Sequence, residues 1–143
     1  MEITKASFDL INKMISGEPP ETGGIVGSKD DHCITDVVLD KPNCSPERYC
    51  RYEPDVDYLN ECIADWTDKG IYFKGIFHTH FAGVISLSDA DTRYINKIMR
   101  AMPAQIEYLY FPVFVFPQRE LICYKAEKTG TKINITYEDT IVR

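Results

Sequence analysis

Two of the chain's three histidines, His78 and His80, sit two positions apart in the run GIFHTH. On a β-strand that spacing puts both imidazoles on one face, with Cα atoms ~6.6–6.8 Å apart. Rings rising together from there can each set a nitrogen on a single zinc ion, at ~2.0–2.1 Å. The pair also describes two polar residues at a half-exposed strand end. After the apolar loop FAGVISL come Ser88, Asp89, Ala90 and Asp91. Ser88 is placed to cap a helix, so Asp91 falls at its third position, where the two would form a capping-box variant and Asp91 would favour the helix dipole. A short loop could also fold Asp91 back towards His78 and His80. Two imidazoles, a carboxylate and a water make an open, catalytic type of zinc site. Asp89 is the competing carboxylate, although at the first helical position it should point elsewhere. Hydrolysis also needs a base. Glu21, held between Pro19-Pro20 and the glycine-rich run GGIVGS, is the candidate, and it also reads as a solvated loop glutamate.

The elements that must position these groups are readable from periodicity. Phe8, Ile11 and Ile15, with Met14 beside them, predict a first helix stopped by Gly17. GGIVGS predicts a short strand whose glycines allow close backbone approach, and CITDVVL (33–39) a second strand. Residues 40–54 read as loop. Asp55 then caps a helix with Val56, Leu59, Ile63 and Trp66 as its apolar stripe, ending at Gly70. IYFKGIFHTH is strand-like, and the helix opened by Ser88 carries Tyr94, Ile95, Ile98, Met99 and Met102 before Pro103 closes it. EYLYFPVFVFP reads as a strand buried on both faces, with Pro112 pointing to a bulge or an edge. ELICYKAE and KINITYE predict a closing hairpin around Thr129-Gly130. About three helices and six interspersed strands give a mixed α/β fold with a central, mostly antiparallel β-sheet.

The chemistry-bearing positions together resemble the JAB/MPN metalloprotease domain, also called JAMM. The shared signature is a distant Glu followed by H-x-H-x7-S-x-x-D, filled here by Glu21, His78, His80, Ser88 and Asp91. The flanks agree too, with a Gly-rich strand after the Glu and a hydrophobic strand entering the His pair, and the likeness spans roughly residues 5–125. It implies that His78, His80 and Asp91 hold one zinc per chain, that Glu21 is the general base, and that Ser88 donates to the oxyanion. It further implies a peptidase or isopeptidase cutting after the C-terminal tail of a ubiquitin-like or sulfur-carrier β-grasp protein. Two departures stand beside the signature. Phe81 occupies a place where the family often has Pro, and Thr79 replaces the commoner Ser between the histidines. Thr79, Phe81 and Gly83 are therefore candidates for substrate contacts. The loop FAGVISL and the segment CSPERYCRYEP are candidates for lining the groove, and ordinary loop packing explains both as well.

Length and composition bound the remaining readings. The 143 residues suit one domain, 1–143, with no space for the zinc-knuckle insertion of some eukaryotic members, so a prokaryotic-type stand-alone domain is expected. A net charge of −6 and the lack of a basic run argue against a nucleic-acid partner. No apolar run reaches the ~20 residues of a spanning helix, and the first residues lack a signal-peptide pattern, so a cytoplasmic protein is expected. Five cysteines without a C-x-x-C pair are expected to be reduced and mostly buried, although Cys44 and Cys50 could chelate a metal. His32 and Cys33, adjacent on a strand, face opposite ways and make a poor nucleophile–base pair. A non-catalytic MPN scaffold is the alternative from another class; such scaffolds characteristically lose the Glu, His or Asp positions, which are retained here. The nucleoside-deaminase and H-E-x-x-H signatures are both absent.

Overall fold

A computed structural model describes residues 1–41 and 52–143. Its three helices form where amphipathic spacing and a capping side chain coincide. Helix α1 (Lys5–Met14) starts at Thr4, whose side-chain oxygen accepts from the Ser7 N–H, and it buries Ile11. Ile15 already has extended backbone, so the helix stops at Met14, short of Gly17. Helix α2 (Val56–Asp68) is capped by Asp55 and buries Leu59 and Trp66, while Val56 is 58% exposed and drops out of the expected stripe. Helix α3 (Asp89–Ala101) is capped by Ser88 and buries Ile95 and Met99; Met102 ends it ahead of Pro103.

The strands are β1 (Glu2–Ile3), β2 (Gly23–Ser28), β3 (Cys33–Ile34), β4 (Asp36–Leu39), β5 (Tyr72–His80), β6 (Tyr108–Val115), β7 (Glu120–Thr129), β8 (Lys132–Glu138) and β9 (Ile141–Val142). Six of them form one sheet in the order β4-β2-β5-β6-β7-β8, antiparallel throughout except for the β5–β6 pair. The other three make a small parallel sheet, β3-β1-β9. CITDVVL is thus not one strand. At Thr35, whose N–H bonds the Gly27 carbonyl, the chain passes from the small sheet to the edge of the large one. Pro112 corrects a second expectation, because β6 is central, with a partner on either side. Pairing with β7 runs without a break through Pro112↔Cys123, whereas pairing with β5 goes from Gly75↔Tyr110 straight to His78↔Val113. The absent proline N–H falls in that gap, so the ladder is interrupted only on the β5 side and stays whole on the β7 side.

Strand alternation sorts the core into two faces. Val26, Phe77, Tyr110 and Phe114 pack with Ile11 of α1 and with Ile15 just beyond it. Ile25, Ile76 and Phe111 pack with Leu59 and Trp66 of α2 and Ile95 and Met99 of α3. His78 and His80 share the parity of Ile76. They therefore emerge at the C-terminal end of β5 on the face that α2 and α3 cover, which is where the chain turns to begin α3.

Candidate metal centre

At the end of β5 the two imidazoles converge. Their Nε2 atoms lie 2.9 Å apart, and both side chains are almost wholly buried. The first turn of α3 brings the Asp91 carboxylate to them, with Oδ2 3.2 Å from His80 Nε2 and Oδ1 3.4 Å from His78 Nε2. One nitrogen from each histidine and one carboxylate oxygen fall within 4.8 Å of one another, the one such group of three among the described residues. The chemistry of this donor set suits a cation. His80 Nδ1 is 3.0 Å from the Val84 carbonyl, to which it donates, so a ring that gives up its other proton to a cation would present its Nε2 lone pair to the cluster. Two imidazole nitrogens and a carboxylate are ligands that zinc accepts at an open tetrahedral site.

The capping box and the cluster share Asp91. Its backbone N–H donates to Ser88 Oγ at 3.1 Å, and its Oδ2 accepts from the Ser88 N–H at 2.9 Å. Burial on its own would raise this carboxyl's pKa, but hydrogen bonds from His78 and His80 and from the Ser88 N–H hold it far below the usual range. His80 shows the converse. Burial alone would lower its pKa, and the bonds to Asp91 and the Val84 carbonyl raise it instead.

Glu21 reaches the site through backbone pairing. The Thr22 N–H donates to Thr79 Oγ1 at 2.9 Å, and the Thr79 N–H donates to the Thr22 carbonyl at 2.9 Å, tying residue 22 to the strand that carries the histidines. Glu21 Oε1 accepts from the Tyr52 N–H at 3.0 Å. Burial raises its pKa, while the neighbouring His78, the Tyr52 N–H and His80 offset this only in part. Tyr52 in turn stacks on His78, with ring centroids 6.2 Å apart and planes 12° apart. Gly23 makes room for that ring, since a Cβ there would stand 2.6 Å from Tyr52 Cζ. The Tyr52 hydroxyl, kept protonated by burial, donates to Asp40 Oδ2 at 2.7 Å, and the same oxygen accepts from the Asp55 N–H at 2.9 Å. Asp40 thus links the start of α2 to the ring beside His78.

These groups open onto a cleft of about 880 Å³, with Glu21, His78, His80, Ser88 and Asp91 on its walls. A volume of that order suits a bound small molecule or a length of peptide. No protein-family profile matches the chain, and no curated protein matches it either. Solved structures do. A JAB1/MPN domain protein from Archaeoglobus fulgidus superposes with a TM-score of 0.57 at 17% identity, covering 99% of this chain and 98% of its own. A Desulfitobacterium hafniense protein gives 0.66 at 18%, covering 99% and 92%, and a Salinibacter ruber protein gives 0.60 at 16%, covering 100% and 92%. The fold is MPN-like.

Within this MPN-like fold the structure brings Glu21, His78, His80, Ser88 and Asp91 to one cleft. Asp89, the competing acid, is exposed and lies outside the cluster. The three candidates for substrate contact separate. Phe81 lines the cleft and packs on Phe116, with ring centroids 5.9 Å apart. Thr79 does not line it; as the residue between the histidines it points to the opposite face, is wholly buried, and bonds Thr22. Gly83 does not line it either; at φ +69° its N–H bonds the Phe116 carbonyl, so it shapes the loop turn. From FAGVISL, Phe81, Val84, Ser86 and Leu87 reach the cleft. Of CSPERYCRYEP, Tyr52, Glu53 and Pro54 reach it, and residues 44–51 lie outside the described residues, Cys44 and Cys50 among them. Cys33 and Cys123 are buried free thiols and Cys62 is a half-buried one; burial pushes the Cys123 thiol up to about 12. No helix among the described residues is long and apolar enough to cross a membrane.

Sequence reasoning missed Asp40 and Tyr94, and it named Tyr52 only within the segment CSPERYCRYEP. The Tyr94 ring meets Phe111 edge-on at 6.3 Å on the α3 side of the cleft, and its buried hydroxyl has no hydrogen-bond partner among the described residues. In the sequence Tyr94 is one residue of an apolar stripe, and its periodicity carries no sign of the hydroxyl's surroundings.

Proposed function

We propose that this protein is a zinc-dependent peptidase or isopeptidase that hydrolyses the bond following the C-terminal tail of a ubiquitin-like or sulfur-carrier β-grasp protein. The observation that carries the reading is the convergence of His78, His80 and Asp91 within 4.8 Å in a cleft that Glu21 and Ser88 also line, on an MPN-like fold. His78 Nε2, His80 Nε2 and the Asp91 carboxylate would hold the ion. When bound, zinc lowers the pKa of water and polarises a carbonyl.

The chain's own residues supply the rest. Glu21, with Oε1 fixed by the Tyr52 N–H, takes the proton of the attacking water and passes it to the leaving amine. The environment that raises its pKa brings this carboxylate nearer to a neutral-pH base, and such proton transfer contributes typically 10²–10⁴-fold. Ser88 Oγ accepts from the Asp91 N–H, which leaves its own proton free to stabilise the oxyanion as the carbonyl becomes tetrahedral. One such donor contributes ~2.7–4 kcal/mol.

The test is incubation of the protein with a ubiquitin-like domain extended beyond a Gly-Gly tail, with and without chelator. Cleavage after Gly-Gly that stops with chelator is expected. Glu21→Ala should keep about one zinc per chain by metal analysis and lose turnover. A variant that keeps full turnover would move the base elsewhere. A zinc-loaded wild type that never cuts the fusions would leave the scaffold reading in its place.

A further inference from the structure

The walls of the cleft are not uniform in charge. Its acids are engaged: Asp91 with the cap and the histidines, Glu21 with the Tyr52 N–H, and Glu53 with a partner of its own. Its two long cations are not. Arg93 and Lys97 of α3 line the cleft, are exposed, and form no ion pair among the described residues. They stand four residues apart and share a helix face, where like charges repel. Asp89, four residues before Arg93, forms no bridge to it, and Lys97 has Arg93 at one helical neighbour position and Arg100 at another. In a chain of net charge −6, an uncompensated basic stripe facing the candidate site calls for an anion from outside.

We propose that the α3 wall of the cleft is a subsite for an acidic side chain, so that preferred substrates carry Asp or Glu two or three residues from the hydrolysed bond. This rests on the hydrolytic reading of the same cleft. The spacing follows from helix geometry. At ~1.5 Å per residue, Arg93 and Lys97 lie ~3 and ~9 Å along α3 from Asp91. An extended peptide advances ~3.3 Å per residue, so a carboxylate two or three residues from the cluster meets the pair. Two cations alone, on an acidic protein, do not make a nucleic-acid surface.

A peptide series tests this, with Glu, Gln or Lys at the third residue before the cleaved amide and at the second or third after it. Two readouts are taken: kcat/KM with the zinc-loaded protein, and fluorescence anisotropy of labelled peptides with Glu21→Gln. Glu should exceed Gln by about five- to tenfold at one of these positions, Lys should be poorest, and the preference should shrink as salt is raised. Arg93→Glu combined with Lys97→Glu should invert the order towards Lys, and Lys97→Gln alone should weaken it. Equal values for Glu and Lys in both readouts would overturn the subsite, as would an unchanged preference in the double variant. Binding in the expected charge order without cleavage keeps the subsite and removes the hydrolytic reading. A series neither bound nor cut removes both.

Discussion

Replacing Asp91 by Ala should have two separable effects, because one carboxylate serves two structures. Its Oδ2 accepts the Ser88 N–H at 2.9 Å, which is half of the capping box. Losing a cap interaction costs ~0.5–1 kcal/mol. For a domain of this length ~1 kcal/mol moves Tm by ~3–4 °C, so the metal-free variant should melt ~2–4 °C below wild type. The second effect is larger. A ligand held at a hundredfold excess over its Kd stabilises the folded state by ~2.7 kcal/mol, a Tm increase of ~8–11 °C. Wild type should show that increase with zinc, and Asp91→Ala should lose it together with one of three ligands.

Scanning calorimetry in chelator and across a zinc titration reads both effects. Ser88→Ala separates them, since it removes the bond from the Asp91 N–H to Ser88 Oγ and leaves the carboxylate present. It should lower the metal-free Tm by a similar amount and keep the zinc response. Asp89→Ala, exposed and outside the cluster, should keep the response as well. An Asp91→Ala protein that still gains ~8 °C with zinc would refute the ligand assignment. So would loss of the response in Asp89→Ala.

Three further outcomes are expected. Tyr94→Phe removes a buried hydroxyl without a partner among the described residues, so its Tm should equal or exceed that of wild type; a fall of several degrees would mean the hydroxyl is bonded. Asp40→Ala leaves the Tyr52 hydroxyl and the Asp55 N–H without their acceptor, at ~1–3 kcal/mol each, so urea unfolding should show a loss of ~2–5 kcal/mol and turnover should fall while zinc content stays; unchanged turnover would detach Tyr52 from the site. Asp30 is lowered to about 2 by bonds from the Cys33 N–H, the His32 N–H and the Ser28 hydroxyl, against ~3.9 when unfolded. Its stabilisation is therefore full above pH ~4 and lost as pH falls through ~2, so Asp30→Ala should be less stable than wild type at pH 6 and level with it near pH 2. A gap that does not narrow over that range would sink the assignment.

The parts of the fold legible beforehand are those in which one local pattern decides. The three helices announced themselves by apolar spacing, two of them also by Asp55 and Ser88 at their starts, while the Thr4 cap of the first went unread and its end came earlier than Gly17 suggested. Strands β1, β3 and β9 are two residues each, too short for alternation to register, and they exist because Glu2 and Ile3 find partners more than thirty residues away in one direction and near the end of the chain in the other. Pro112 misled for a related reason. A proline excludes one ladder bond and leaves the other side of the strand intact, so whether it demands an edge depends on register, which lies outside the local sequence.

The candidate site divides along the same line. His78, His80, Ser88 and Asp91 come from consecutive elements joined by seven residues, so strand parity and cap position were enough to bring them together. Parity also settles Thr79, whose place between the histidines sends it to the α1 face. Glu21 was a candidate from its stiff flanks, and only the resemblance tied it to the histidines, since the bonds between Thr22 and Thr79 that deliver it span 57 positions. The link from Asp40 through Tyr52 to Glu21 left no trace because it runs through a backbone N–H and a hydroxyl whose partners only tertiary structure supplies.

The cap and the candidate ligand set are competing accounts of Ser88-x-x-Asp91 in the sequence, and in the structure one carboxylate serves the cap and faces both imidazoles. The Ser88 N–H holds Oδ2, which fixes the carboxylate's orientation, and in that orientation Oδ1 and Oδ2 each face a different imidazole. The histidine side is fixed in the same way, since the Val84 carbonyl within the connecting loop holds His80 by Nδ1. Orientation by such outer bonds is what a metal site needs before the ion arrives. A helix start and seven loop residues therefore suffice to present a carboxylate to the end of a strand, and the capping serine belongs to the candidate centre through its N–H on Asp91 Oδ2.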